Sequence, residues 1–270
     1  MQGNIGSFVQ FLGTGGGRFV MITQTRKTGG LWIRNEHNDL IIDPGPGYLI
    51  NSLKQPHINP GKLKAIILTH NHLDHSNDLN LAIEAMTLGG FRKNGELIIT
   101  EQALHDNTAK EYILGSLDEL TIIKEGMRVS WDGMKISFPL RHEHKKAETY
   151  GVTFEFSSGI KLAYITDGIY QEGIARAYSN YNDIVILNST MVTNGNKVGH
   201  LDFEGAARVI DELKPRITYL NHFGREACNY PPEKAAEEIS YSTGQRVYAA
   251  EDFQLINLET SDLLGSGKKF

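Results

Sequence analysis

Four metal-ligand side chains stand within six consecutive residues of this 270-residue chain, in the segment His70-Asn71-His72-Leu73-Asp74-His75. The segment directly follows the apolar run AIIL at 65–68 and precedes a helical pattern that begins near Asn77. Neutral imidazoles are good ligands for zinc and similar transition metals, and a carboxylate adds anionic charge that partly neutralises a second cation. A tight loop after a strand can aim His70 and His72 at one ion and Asp74 and His75 at another about 3.5–4 Å away, the spacing of two-metal hydrolytic sites.

The same pattern returns downstream, where an apolar strand again ends at a potential ligand. ISFPLRHEH reaches His142 and His144, KLAYITD reaches Asp167, and ITYLNH reaches His222. Taken alone, a His or Asp after a strand is more often a turn or capping residue. Recurrence beside a six-residue ligand loop makes these residues metal candidates, because ligands at adjacent strand ends converge in space.

β-Branched and aromatic runs bounded by turn residues predict strands at 8–12, 30–34, 40–42, 65–68, 96–99, 135–140, 149–156, 161–165, 184–187, 217–220 and 246–249. Helical spacing is clearest at 77–88 and at 202–213, where Phe203, Ala206, Ala207, Ile210 and Leu213 recur behind an Asp202 N-cap. A third helix is expected after Pro231-Pro232, with Ala235, Ala236 and Ile239 on one side. No linker, repeat or block of like charge divides the chain, so one domain over 1–270 is expected.

Composition narrows the partners. With 40% hydrophobic and 22% charged residues the chain can bury a large core, and a formal charge of -5 gives no general attraction to phosphate backbones or anionic lipid. A small-molecule substrate is expected, and a large nucleic acid is not. Cys228 is the sole cysteine, which fits a reducing compartment. The N-terminal sequence shows no secretory pattern, and the apolar runs fall far short of the roughly 20 residues that span a bilayer. A cytoplasmic location and no membrane contact are the expectations; the oligomeric state is left open.

FLGTGGG, IIDPGPG, LTHNHLDH, RHEH, YITD and YLNHFG, in that order, resemble the metallo-β-lactamase superfamily of dinuclear metal hydrolases. The resemblance implies an α/β fold, a four-layer αββα sandwich of two mixed sheets flanked by helices, with the metals at the sheet ends. It implies two divalent ions, zinc foremost with Mn2+ or Fe2+ as alternatives. One would be held by His70, His72 and a His of RHEH, the other by Asp74, His75 and His222, with Asp167 bridging. Between His142 and His144, which point to the same side of one strand, His144 is chosen because it lies closer to the following strand, as in the phosphodiesterase-like branches; His142 is then an outer or surface residue.

Asp43 in IIDPGPG is expected to support the site by hydrogen bonding, or simply to form its turn. GTGGG at 13–17 lacks the P-loop ending and the helix that should follow it, so a flexible turn near the pocket is expected. GHLDFEGA is similar to the accessory histidine motif of phosphodiesterase and RNA-processing branches, which makes His200 a phosphate-facing catalytic candidate; a plain capping or surface His is the alternative. His37, His57 and His105 have no ligand neighbours in sequence and are read as ordinary structural or surface residues.

The function expected is metal-dependent hydrolysis by a metal-bridging hydroxide, with Asp74 orienting it and accepting its proton and His200 stabilising the anion or protonating the leaving group. A phosphodiester is the first substrate class. Lactone, thioester and β-lactam hydrolysis on the same site is the alternative. Only 22 residues separate His144 from Asp167, too few for the protruding arm of transfer-RNA processing enzymes. A di-iron oxidoreductase is disfavoured by His72, where such enzymes usually carry Glu, and by the length of the chain. A non-catalytic metal-binding protein is disfavoured because no ligand is missing.

Overall fold

Apolar runs that do not alternate belong to strands covered on both faces, and the structure places them there. The computed structural model describes residues 6–193 and 198–259; the ends of the expected 1–270 unit and residues 194–197 lie outside the described residues. In chain order the strands are β1 (Phe8–Phe11), β2 (Leu31–Asn35), β3 (Asn38–Ile42), β4 (Leu63–Leu68), β5 (Glu96–Ile99), β6 (Glu119–Ile122), β7 (Met127–Trp131), β8 (Met134–Phe138), β9 (Arg141–His144), β10 (Ala147–Tyr150), β11 (Val152–Glu155), β12 (Lys161–Ile165), β13 (Ile184–Asn188), β14 (Ile217–Asn221), β15 (Val247–Ala249) and β16 (Leu255–Asn257). One seven-stranded sheet runs β16-β1-β2-β3-β4-β5-β6 and the other β15-β14-β13-β12-β11-β8-β7, while β9 and β10 pair as a separate hairpin. Neighbours from β3 to β6 and from β12 to β15 are parallel; the remaining pairs are antiparallel.

The helices are α1 (Gly17–Thr23), α2 (Tyr48–Leu53), α3 (Leu73–Ser76), α4 (Leu79–Thr87), α5 (Glu101–His105), α6 (Glu111–Leu114), α7 (Ile174–Tyr178), α8 (Phe203–Leu213), α9 (Arg225–Asn229) and α10 (Pro232–Thr243). Alternation along each strand sorts residues into three cores. Ile67 and Ile186 meet between the sheets with Val9, Ile33, Phe154 and Tyr164. Ile66 and Leu68 point the other way, onto Ile83 and Met86 of α4. Val185 and Leu187 face Ile210 and Leu213 of α8 and Ala236 and Ile239 of α10. Helix, sheet, sheet and helix give the four-layer αββα sandwich. Among the described residues no helix is long and apolar enough to cross a membrane.

The Asp202 cap is present, its Oδ1 accepting the Gly205 N–H at 2.8 Å. Three expectations change. The run 149–156 is two strands broken at Gly151, where a Cβ would stand 2.0 Å from the Tyr178 hydroxyl. RHEH is not the end of β8 but one arm of the β9–β10 hairpin. GTGGG is followed by a helix, α1, and is not loose: Gly15 N–H donates to the Lys27 carbonyl at 2.8 Å and Gly16 N–H to the Phe223 carbonyl at 3.0 Å.

Candidate metal centre

Parallel strands aim their C-terminal ends in one direction, and ligands in such sheets gather just beyond those ends. His70 follows β4, Asp167 follows β12, and His222 follows β14. The β4 end is tied down by Asp43: its Oδ1 accepts the Thr69 N–H and its Oδ2 the Thr69 hydroxyl, each at 2.8 Å. Asp43 Oδ2 also lies 2.9 Å from His75 Nδ1. That contact fixes the ring so that His75 Nε2 faces inward, an orienting role of the kind carboxylates play behind metal-ligating histidines.

Among the described residues, donor atoms within 4.8 Å of one another gather in four groups. His70, His72, His144 and Asp167 form one, and Asp74, His75 and His222 another. Asp167, His200 and His222 form a third, and Asp43, His70 and His75 a fourth. His72 Nδ1 and His144 Nε2 are 2.9 Å apart, as are the Nε2 atoms of His75 and His222. All seven residues expected as ligands therefore come together.

Asp167 Oδ2 sits at the centre. Four imidazole nitrogens approach it: His75 Nε2 and His200 Nδ1 at 3.3 Å, His70 Nε2 and His144 Nε2 at 3.8 Å. All are too long or too bent to satisfy it, and both Asp167 Oδ2 and His70 Nε2 are buried with no hydrogen-bond partner among the described residues. Unpaired buried polar atoms are costly and rare in folded proteins. A cation between them answers both, so the residues present fit the divalent ions that the sequence implies.

The electrostatics agree. Burial pushes the His70, His72 and His144 imidazoles below their ordinary value, favouring the neutral form that ligates. Burial would lower His75 too, but Asp167, Asp74 and Asp43 outweigh it and raise that ring well above its ordinary value. Burial would raise Asp167, yet His222, His75 and His200 hold it well below the carboxylate range. Three carboxylates around His75 are a surplus of negative charge that a metal ion can answer in place of a proton.

The hairpin turns His142 and His144 to the same buried side, but only His144 reaches the cluster. His142 is buried rather than on the surface, held by Tyr178 and the backbone of Asp167. His144 Nδ1 bonds to the carbonyl of Gly199. His200 Nδ1, 3.3 Å from Asp167 Oδ2, is also 3.2 Å from the Thr190 hydroxyl. His57 bonds to Gln10, away from the site, and His105 is exposed beside Asp106.

Asp74 is positioned from a distance of 57 residues. Gly17 N–H donates to Asp74 Oδ2 at 2.6 Å, and the His222 ring packs where a Cβ on Gly16 would stand, 2.2 Å from Nδ1. The glycine-rich turn thus cradles the chain's own carboxylate. His222 itself adopts φ 62°, a left-handed conformation that favours glycine. Sequence reasoning missed Asn188, whose Nδ2 donates to Asp167 Oδ1 at 2.8 Å, and Thr190, whose hydroxyl lies 2.9 Å from His222 Nδ1. The signal was available, because IVILN is one more apolar strand that ends at a polar residue.

A family model described as a β-lactamase superfamily domain matches residues 38–223. A protein of Methanocaldococcus jannaschii described as uncharacterized is 29% identical over 249 residues, covering 89% of this chain and 91% of its own. Ribonuclease Z of Borrelia garinii is 23% identical, covering 81% of this chain and 86% of its own. The metallo-β-lactamase fold protein YhfI of Bacillus subtilis superposes with a TM-score of 0.79 over 93% of this chain and 98% of that one, at 18% identity, a likeness of fold.

Proposed function

The chain belongs to the metallo-β-lactamase superfamily, and on that footing we propose that it is a metal-dependent hydrolase acting on a phosphodiester. Asp167 Oδ2, ringed by four imidazole nitrogens and otherwise unsatisfied, carries this conclusion. His70, His72, His144 and Asp167 would hold one ion, and Asp74, His75 and His222 with Asp167 the other; zinc suits these donors best, with manganese or iron(II) as alternatives. When bound, divalent ions supply Lewis acidity toward a phosphoryl oxygen and lower the pKa of water from 15.7 to about 7.

The side chains supply the rest. Asp74, held by the Gly17 N–H and partly exposed, orients the attacking water and takes its proton. His200, its Nδ1 3.3 Å from Asp167 Oδ2, stabilises the charge on the phosphoryl oxygen or protonates the leaving group. Asn188 and Thr190 keep Asp167 and His222 in place. The donors come from both sheets, which supports reading the chain as one domain.

The phosphodiester class is supported by His200 beside the donors and by the relative named as a ribonuclease. The 22 residues between His144 and Asp167 are taken up by β10, β11, β12 and their turns, which favours a small substrate over a folded RNA gripped by an arm. Metal-loaded protein assayed against a phosphodiester, a lactone and a thioester tests the reading. Diester hydrolysis is expected; turnover confined to the other two overturns it.

A further inference from the structure

Phe19 stands on α1, two residues beyond the Gly17 that binds Asp74, and its side chain is 53% exposed. Arg225 opens α9, three residues beyond His222, and its guanidinium lies 5.7 Å from the centroid of the Phe19 ring. α1 packs against both α3 and α9, so this pair borders the Asp74 and His222 edge of the metal centre. Arg26 is held by the Thr14 hydroxyl, the Ala250 carbonyl and Glu233. Arg225, by contrast, makes no ion pair among the described residues. Ile22 on α1 and Leu73 on α3 add exposed apolar surface, at 70% and 62%.

A half-exposed aromatic ring together with a cation that no carboxylate neutralises matches a ligand that is both aromatic and anionic. Bases stack on aromatic side chains and on guanidinium groups regardless of base identity. We propose that Phe19 and Arg225 form a subsite for the nucleobase of a nucleotidyl phosphodiester, an inference that rests on the phosphodiester reading above. Phe19 takes the base against its exposed surface, and Arg225 answers the charge of the attached phosphate.

The test uses the metal-replete full chain and two substrates with one leaving group, the p-nitrophenyl ester of thymidine 5'-phosphate and methyl p-nitrophenyl phosphate. The wild-type kcat/KM should favour the nucleotidyl ester. Phe19→Ala should lower that preference about 10-fold, chiefly through KM, the scale of one lost base stack. Phe19→Trp should keep the preference and Phe19→Leu lose it, so a folding defect is told apart from lost stacking; Arg225→Gln should lower it as well. Inhibition by a dinucleoside monophosphate or by a short single-stranded RNA supports the subsite, the stronger of the two marking free nucleotide or chain end as the source. Equal use of both esters, unchanged by Phe19→Ala, overturns the subsite alone. Failure to cleave either ester overturns the phosphodiester reading and the subsite with it.

Discussion

The Tyr178 hydroxyl lies 2.7 Å from His142 Nε2, while His142 Nδ1 is 3.1 Å from the Asp167 carbonyl oxygen. One tautomer satisfies both contacts: Nδ1–H donates to the carbonyl and Nε2 accepts from the tyrosine. Both ring nitrogens are then engaged, and His142 has none to offer a metal. His144→Ala should therefore lose metal and reduce turnover by more than 100-fold, whereas His142→Ala and Tyr178→Phe should weaken metal binding by about 10-fold, the lower end for outer partners. Elemental analysis beside turnover gives the order; the reverse order would make His142 the ligand.

Acid should weaken the fold through His142. Burial, only partly offset by the bonds to backbone at Asp167 and Thr166, lowers its pKa to about 4 from 6.5. The unfolded chain takes up a proton near 6.5 that the folded chain refuses until about 4. The stability this ring contributes is therefore complete above pH 6.5 and lost as the pH falls toward 4, by about 3 kcal/mol. Urea unfolding of metal-free wild type and His142→Gln should show the gap between them narrowing over that range; a constant gap would refute the buried neutral ring.

Seven converging donors are too many for one tetrahedral site. Protein purified without added metal and then supplied with zinc or manganese should hold about two ions per chain by elemental analysis. Their removal by a chelator should lower the melting temperature, since ligand at 100 times its Kd stabilises by about 2.7 kcal/mol per site. A stoichiometry near zero after metal is supplied would remove the dinuclear reading.

A phosphomonoester dianion asks for more cationic side chains than the immediate donor set provides, so a bis-aryl phosphate should be cleaved faster than the matching monoester. His200→Ala should cut diester turnover by about 10- to 1000-fold with metal content unchanged. Should metal content fall instead, the grouping of His200 with Asp167 and His222 would mark it as a ligand.

Gly16→Ala changes no donor, yet its new methyl would overlap the His222 ring. Metal affinity should drop 10- to 100-fold, as for lost supporting contacts. Gly115→Ala, where nothing lies within 4 Å, should leave it alone. Equal affinities in the two variants would show that the turn yields.

What the sequence displays well is the parallel core. β4, β12, β13 and β14 are buried on both faces, so their apolar runs stand out, and the ligands that follow three of them stand out with them. β6 and β7 are half exposed and carry no such run, which is why neither was expected. α1 begins at glycine with no side-chain cap, so GRFVMIT gives no helix signal ahead of it. The Gly17–Asp74 bond and the Tyr178–His142 bond join residues 57 and 36 apart, and nothing local in the chain encodes such meetings.

His70, His72, Asp74 and His75 follow a strand of one sheet, whereas Asp167 and His222 follow strands of the other. The centre is thus a rivet through two plates. A substitution in the intervening core that lets the plates slide by a fraction of an ångström spreads the donors while leaving every strand intact. Metal occupancy should then fail at temperatures where circular dichroism still reads as native, which makes a colorimetric metal indicator the earlier alarm for damage between the sheets.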